Sequence, residues 1–414
     1  MSVSENRISR REFISRSAAG AALVAVGNVG FAPSRAIGAN ERINVGIIGA
    51  GTQGSGLMRQ VLSLEEDLNV QVAAICDTWR INREKAVATV VEQSGREPKQ
   101  FTDFEELLAL SDIDAVVIAT PDFSHCPILS AAIKSGKDAF IEKPLSFDLQ
   151  EANEVLDVVK ASDRVVQVGT QRRSEGRWKA VVSAVQEGVL GKITRIEIGW
   201  NDNKPRWKRG VDECRLEDVD YERFKMGRID KPFSPHRYRQ WQLYRDMTTG
   251  PIGILGSHYI DVVHWIMNDP YPDSAVAHGG IYIWNDGREH EDTLYVIYDY
   301  PSGFMCRLLI GLGNSAESGC RIYGTKGMFR EQDWAFTGAG GRSEFAIKEE
   351  IKVVPEEDEG HIRGFLQSVR SRKQPNTPIE AGYQHAVGTV LGYQALRTGK
   401  KLKYLPATRE IVEA

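Results

Sequence analysis

Two residues have the side-chain types needed to work on a hydroxyl group: Lys143, in Glu142-Lys143-Pro144, and His258, in Gly256-Ser257-His258-Tyr259-Ile260-Asp261. Removing hydride from a secondary alcohol needs one group to take the hydroxyl proton and a positive charge to steady the developing alkoxide. A neutral imidazole can do the first and an ammonium the second, and a nearby ammonium also tends to keep an imidazole neutral.

A place for the hydride is indicated separately. Ile43-Asn44-Val45-Gly46-Ile47-Ile48 reads as a short buried strand that runs directly into Gly49-Ala50-Gly51-Thr52-Gln53-Gly54 and then a helical stretch. In that setting the first glycine permits a tight turn, the second lets the backbone approach a pyrophosphate, and the third lets helix and strand pack closely. The N–H groups at the helix start then face the anion. A second strand, from Val70 to Cys76, ends at Asp77, roughly 20 residues beyond the glycines, where a carboxylate bonds the adenosine ribose hydroxyls and repels a 2'-phosphate. The expected cofactor is therefore NAD, with NADP kept open by Arg80.

The elements that must position these groups follow in order. A helix is expected over 104–110, a strand over 114–119, a helix over 127–134 and a strand over 138–141, an alternation that implies a doubly wound parallel sheet. Ligands of such sheets sit beyond the carboxyl ends of the strands. The cofactor set is accordingly Gly49, Gly51, Thr52, Gln53, Gly54, Asp77, Thr120, Pro121, His125, Glu142, Lys143 and Gln171. In the second half, residues 192–200 alternate so that Thr194, Ile196, Ile198 and Trp200 share a face, while 293–300 and 303–311 form a hairpin around Pro301-Ser302. Residues 201–249 between them are polar, rich in Trp, Arg and Pro, and too long for a simple connection, which marks a functional insert. Two helices, over 361–372 and 381–398, are expected to pack against the domain boundary.

The glycine loop, Asp77, the run DIDAVVIATPDFSHCPILSAAIKSGKDAFIEKP and then GSHYIDVVHW come in an order that resembles the Gfo/Idh/MocA family of oxidoreductases, over residues 43 to 406. The resemblance implies an α/β Rossmann domain followed by an α+β domain on a large, mainly antiparallel sheet, with the active site between them. Expected bounds are 1–36 for a signal segment, 37–169 for the NAD-binding domain and 170–414 for a substrate and oligomerisation domain, and a homo-oligomer is expected. The resemblance sets Lys143 and His258 on opposite sides of the substrate as the catalytic pair. Many members acting on sugars or inositol carry an Asp four residues before this histidine; here it is Ile254. Asp261, one turn on, either orients His258 or bonds a substrate hydroxyl, or else serves as a structural cap or interdomain bond. Tyr259 and Trp200 complete the substrate set. Trp207 and Trp241 with Arg206, Arg209, Arg237 and Arg245 either stack on and bond a sugar, or cover the sheet or a subunit contact. No metal site is expected, because His264 stands about a third of a turn away from His258 and Asp261 on an ideal helix.

A chain of 414 residues exceeds one ordinary core, and 42% hydrophobic with 26% charged residues is the balance of a globular protein. A formal net charge of -4 without a basic stripe argues against nucleic-acid binding. Five cysteines without CxxC spacing give neither a zinc knuckle nor a disulfide framework. Ser9-Arg10-Arg11-Glu12-Phe13-Ile14, a weakly apolar run to Phe31 and small residues near Ala36 resemble a twin-arginine export signal, with a Sec signal or membrane anchor as the alternatives. The expectation is an exported, periplasmic oxidoreductase acting on a carbohydrate or polyol with tightly bound NAD. Its competitors are a glycosidase working by oxidation, elimination and re-reduction at bound NAD, and a sugar or nucleotide sensor without turnover.

Overall fold

The computed structural model describes residues 41–342 and 344–414. The export motif and its cleavage region lie outside the described residues.

The largely apolar run at Ile43–Ile48 (β1), interrupted only by the half-buried Asn44, is buried on both faces, as a central parallel strand requires. Beside it lie Val70–Cys76 (β2), Lys99–Phe101 (β3), Ala115–Ile118 (β4), Asp138–Ile141 (β5) and Val166–Val168 (β6), in the order β3-β2-β1-β4-β5-β6 and all parallel. The order reverses between β1 and β4. The helix Thr52–Leu62 (α1) starts at that switch point, where a doubly wound sheet opens a crevice.

The second sheet has ten strands. Ile193–Asn201 (β7), Ser274–Gly280 (β8), Thr293–Tyr300 (β9), Phe304–Gly311 (β10), Gly319–Gly324 (β11), Gly327–Arg330 (β12), Ala335–Thr337 (β13), Ile351–Lys352 (β14), Leu402–Leu405 (β15) and Glu410–Glu413 (β16) run in the order β14-β13-β12-β11-β7-β10-β9-β8-β15-β16. Among the described residues only β7 and β10 of this sheet pair in parallel. In β9 the alternation is regular: Leu294, Val296, Tyr298 and Tyr300 are buried. In β7 it slips. The pairing with β11 jumps from Arg195 to Ile193, so a bulge turns Thr194 outward and Ile193 takes the buried place that alternation had assigned to Thr194.

One sequence-based boundary moves for an identifiable reason. The helix expected from residue 127 begins five residues earlier, as Asp122–Lys134 (α2), with Pro127 inside it. Proline lacks an N–H and leaves the carbonyl four residues back without its usual donor; here the Phe123 carbonyl accepts instead from Arg228, which also pairs with Glu151. The interior proline is tolerated because the insert supplies the missing donor.

The helix Ser257–Met267 (α3) ends at Asn268 in the left-handed region. Beyond it, His361–Ser371 (α4) is amphipathic and places Ile362, Phe365, Leu366 and Val369 into the core that contains Ile43, Val45 and Ile47. Residues late in the chain thus complete the core of its first domain. The helix Ile379–Thr398 (α5) lies between the two domains, where the Tyr383 hydroxyl donates to Asn153 at 2.6 Å and His385 Nε2 accepts from the Leu145 N–H at 3.0 Å. Of the two late helices, α5 lies at the domain boundary as expected, whereas α4 packs into the core of the first domain.

Candidate active site

The glycine loop is fixed by close approaches. Gly49 has φ +88° and donates its N–H to the Cys76 carbonyl at 2.8 Å, and a Cβ on it would stand 2.7 Å from the Ala119 oxygen. A Cβ on Gly54 would fall 1.8 Å from the Gly49 oxygen. Gly51 has open space beside it: a Cβ there would have Asn82 Nδ2 as its nearest neighbour, at 3.9 Å. Among the described residues no side chain caps the start of α1. Its first N–H groups and the space over Gly51 fit the pyrophosphate of a dinucleotide.

From this loop a cleft of about 1030 Å³ runs between the domains. Gly49, Gly51, Thr52, Gln53, Asp77, Thr120, Pro121, His125, Glu142, Lys143 and Gln171 all line it, together with Trp200 and His258. Gly54 lies beneath the lining, packed on Gly49. Asp77 is buried, with one oxygen accepting from the Trp79 N–H at 2.8 Å and the other from the Ala50 N–H at 2.7 Å and Asn82 at 3.3 Å. It therefore holds the glycine loop as well as facing the cofactor groove. Burial raises its pKa, against these hydrogen bonds. Arg80 turns away, bonded to Glu84 and Asp218.

At the other end, Lys143 Nζ donates to the backbone carbonyl of Ile254 at 3.0 Å. Ile254 belongs to a π-helical turn, Ile252–Gly256, that leads into α3; such turns recur at functional sites. Position 254 thus meets the lysine through its main-chain oxygen and not through a side-chain carboxylate. His258 is half-buried in the cleft, its ring 5.3 Å from that of Trp200 and tilted by 30°. Desolvation, followed by the charge of Lys143, then Arg172, His385 and Arg206, pulls its pKa well below the usual histidine value. It is neutral at neutral pH and able to accept a proton.

The loops around Lys143 are tied to one another. Gln53 Nε2 donates to Glu142 at 2.7 Å, and the second Glu142 oxygen accepts the Lys143 N–H at 3.1 Å. His125 spans the two strand ends, with Nδ1 2.8 Å from the Pro144 oxygen and Nε2 2.8 Å from the Thr120 oxygen. Asp122 is a cleft residue to which the sequence assigns no role of its own. It is buried at the start of α2, accepts from Thr248 Oγ1 at 2.6 Å, and has its pKa raised to about 7 by burial, against the pull of Thr248 and Lys143. Its place just past the end of β4 was the available signal.

The remaining substrate candidates lie elsewhere. Asp261 is buried and bonded to Arg173 through both oxygens, at 2.8 to 3.0 Å, which makes it a structural ion pair that neither faces the cleft nor orients His258. Tyr259 points behind the cleft: its hydroxyl donates to Glu331 at 2.9 Å, and the Arg172 guanidinium sits 3.7 Å over its ring. His264 Nε2 is bonded to the Tyr300 hydroxyl at 3.0 Å. Among the described residues no cluster of His, Cys, Asp or Glu is arranged to hold a metal ion, and all five cysteines are buried and free.

Residues 201–249 fold back over the adenosine end of the groove. Val219 bridges to Trp79, the Asp220 N–H donates to the Thr78 oxygen at 2.8 Å, and Arg223 pairs with Asp103 at 3.0 Å. Trp79 and Phe123 join Tyr221, Phe224 and Tyr238 in a separate apolar cluster that fastens the insert to the first domain. Arg209, Phe224, Tyr238, Arg239, Trp241 and Gln242 thereby become walls of the cleft. Trp207 instead packs against the second-domain core, and three of the proposed sugar-binding arginines are committed: Arg206 to Asp202, Arg237 to Asp246 and Arg245 to Glu291.

Comparison with known proteins agrees with this arrangement. Residues 43–170 match the NAD-binding Rossmann fold of the oxidoreductase family Gfo/Idh/MocA, and residues 222–404 match that family's C-terminal alpha/beta domain. The chain belongs to the Gfo/Idh/MocA family. Its fold is also that of an oxidoreductase from Thermotoga maritima (TM-score 0.66, 19% identity, covering 88% of this chain and 98% of that one). A scyllo-inositol dehydrogenase from Lactobacillus casei with bound NAD(H) and scyllo-inositol gives TM-score 0.63 at 18% identity, covering 88% and 99%. Among curated relatives, a glycosyl hydrolase family 109 protein of Shewanella putrefaciens is 31% identical over 171 residues, 40% of this chain and 36% of its own length. An alpha-N-acetylgalactosaminidase of Shewanella oneidensis is 31% identical over 173 residues, 41% and 37%. The chain thus spans well under half the length of these two relatives.

Proposed function

We propose that this Gfo/Idh/MocA protein is an exported oxidoreductase that moves hydride between NAD and a hydroxyl-bearing carbon of a carbohydrate or polyol, and that it keeps the cofactor bound through a closed redox cycle. The observation that carries the reading is the meeting of Lys143 and neutral His258 in one cleft that begins at the glycine loop. The dinucleotide, when bound, takes up and returns the hydride. His258 accepts the hydroxyl proton as the carbon–hydrogen bond breaks, Lys143 steadies the alkoxide oxygen, and Trp200 offers a face on which a sugar ring stacks. The carboxylate of Asp77 supports NAD over NADP.

Retention is supported by two features. The twin-arginine motif implies passage of a folded protein to a compartment with little free NAD, and the chain's own insert walls the adenosine end of the groove. Homo-oligomer formation belongs to the same proposal and is supported by the open sheet face, where Val276, Tyr295, Ile297 and Met305 are exposed.

Exhaustive dialysis of the mature protein, followed by denaturation and assay of released nicotinamide, tests the cycle. Near-stoichiometric NAD with turnover in the absence of added cofactor is expected. An empty protein active only with excess free NAD would make it an ordinary dehydrogenase.

The names of the Shewanella relatives favour a second reading, in which the same groups oxidise a glycoside, assist loss of the aglycone and allow re-reduction. Release of aglycone from aryl glycosides without accumulation of NADH would select it.

A further inference from the structure

Among the described residues, two arginines in the cleft are left without a counter-ion. Arg209 Nη1 donates to the Arg239 carbonyl and to Gln242 Oε1, both at 2.9 Å, and Gln240 Nε2 closes the loop on the Arg209 oxygen at 2.7 Å. These bonds fix the two arginines next to each other while meeting no negative charge. The Arg239 guanidinium lies 4.5 Å over the ring of Trp79, and its Nε is buried with no hydrogen-bond partner. The lining carboxylates nearby have other partners: Glu213 faces Lys85 at 3.7 Å, and Asp103 holds Arg223. Among the described residues neither arginine has a carboxylate within ion-pair distance. Two adjacent, partly buried like charges are costly unless an anion joins them, and a planar guanidinium pair suits the oxygens of a phosphate or carboxylate.

We propose that Arg209 and Arg239 form an anion subsite of the cleft, for a phosphate or carboxylate group carried by the molecule bound there. Burial and the neighbouring Arg239 charge lower the pKa of Arg209, as an anion-free pair requires. The group has two sources: a 2'-phosphate on the dinucleotide, whose adenosine end lies by Trp79, or an acidic substituent on the sugar. The inference rests on the reading of the cleft as a dinucleotide and sugar site.

The test uses the full chain freed of nucleotide, as wild type and as Arg209→Met/Arg239→Met, titrated calorimetrically with NAD+ and NADP+. Glucose, glucuronate and glucose 6-phosphate are then titrated at saturating NAD+. A loss of tenfold or more for NADP+ with NAD+ unchanged supports the subsite and assigns it to the cofactor. The same loss for either acidic sugar, with glucose and both nucleotides unchanged, supports it and assigns it to the substrate. Equal binding by variant and wild type, or a uniform loss of NAD+ and NADP+, overturns it while leaving the dinucleotide site standing. Failure of the wild type to bind either nucleotide overturns both readings. Should the double variant not fold, inorganic phosphate decides on the wild type: competition with NADP+ or an acidic sugar but not with NAD+ or glucose supports the subsite, and absence of competition overturns it.

Discussion

Lys143 reaches across from the first domain to the backbone of Ile254 in the second, 3.0 Å from nitrogen to carbonyl oxygen. A main-chain oxygen carries only a partial charge, so the ammonium keeps most of its own for a substrate oxygen and for its effect on His258. Replacing Ile254 by Asp would add a full negative charge at this contact. The acid limb of the pH profile for kcat/KM should then move to higher pH by about one unit, or about 1.4 kcal/mol, whereas Ile254→Asn should leave it in place. Matched profiles of the two variants provide the measurement.

Lys143→Ala and His258→Ala should each lower kcat by about 10² to 10⁴, roughly 3 to 5 kcal/mol in the barrier, with nucleotide binding and thermal unfolding close to wild type. Near wild-type turnover by the His258 variant would move the base elsewhere, with Asp122 the first residue to examine.

Asp122 gives a pH prediction of its own. Its carboxyl titrates near pH 7 in the folded protein, against an ordinary value of 3.8. Between these values the folded state binds more protons than the unfolded one, so the stability linked to this group is full below about pH 4 and is lost as pH rises to 7. Asp122→Asn should flatten this part of a urea-unfolding series and remove an inflection near pH 7 from the activity profile.

Buried histidines act in the opposite sense. Desolvation depresses His264, His290 and His385 to about 3, and His125 and His361 to about 4. Below the unfolded value of about 6.5 the unfolded chain takes up protons that the folded one refuses, so stability present above pH 6.5 is lost as pH falls toward 4. The urea midpoint should drop from pH 7 to pH 5, and His385→Gln should make that drop shallower.

Asp77→Ala would strip the acceptors from two backbone N–H groups, those of Ala50 and Trp79. A buried donor left unpaired costs about 1 to 3 kcal/mol. Loss of stability in that range is expected, together with weaker nucleotide binding and a narrower gap between NAD and NADP. Calorimetric titration with both cofactors, beside a denaturation curve, checks each part.

Much of the first domain was legible because strand, glycine loop and helix lie adjacent in sequence and Gly49 and Gly54 answer local steric demands, and the residues expected around the cofactor nearly all line one cleft. The opposition of Lys143 and His258 came from family resemblance; spacing alone could not place residues 115 apart on one cleft. The sequence leaves Asp261 open between a substrate role and a structural one, and the ion pair with Arg173 selects the second: helical periodicity gives its direction but not the presence of Arg173, which arrives from a distant segment. The same holds for Thr194, displaced by a bulge that alternation does not announce, and for the start of α2, where Pro127 read as a boundary because Arg228 lies 101 residues further on. The uncompensated Arg209 was named among several arginines; only the positions of the acids separated it from Arg206, Arg237 and Arg245.

The packing of α4 bears on when the first domain can take shape. Its apolar core shares Phe365 and Leu366 with Ile43 and Val45, and Arg372 pairs with Asp138 at the start of β5. A ribosome must therefore translate nearly the whole chain before the opening segment can cover its hydrophobic face. Until then the part of this core that Phe365 and Leu366 cover is open to chaperones and to premature association, so the amino-terminal half, although made first, is completed among the last.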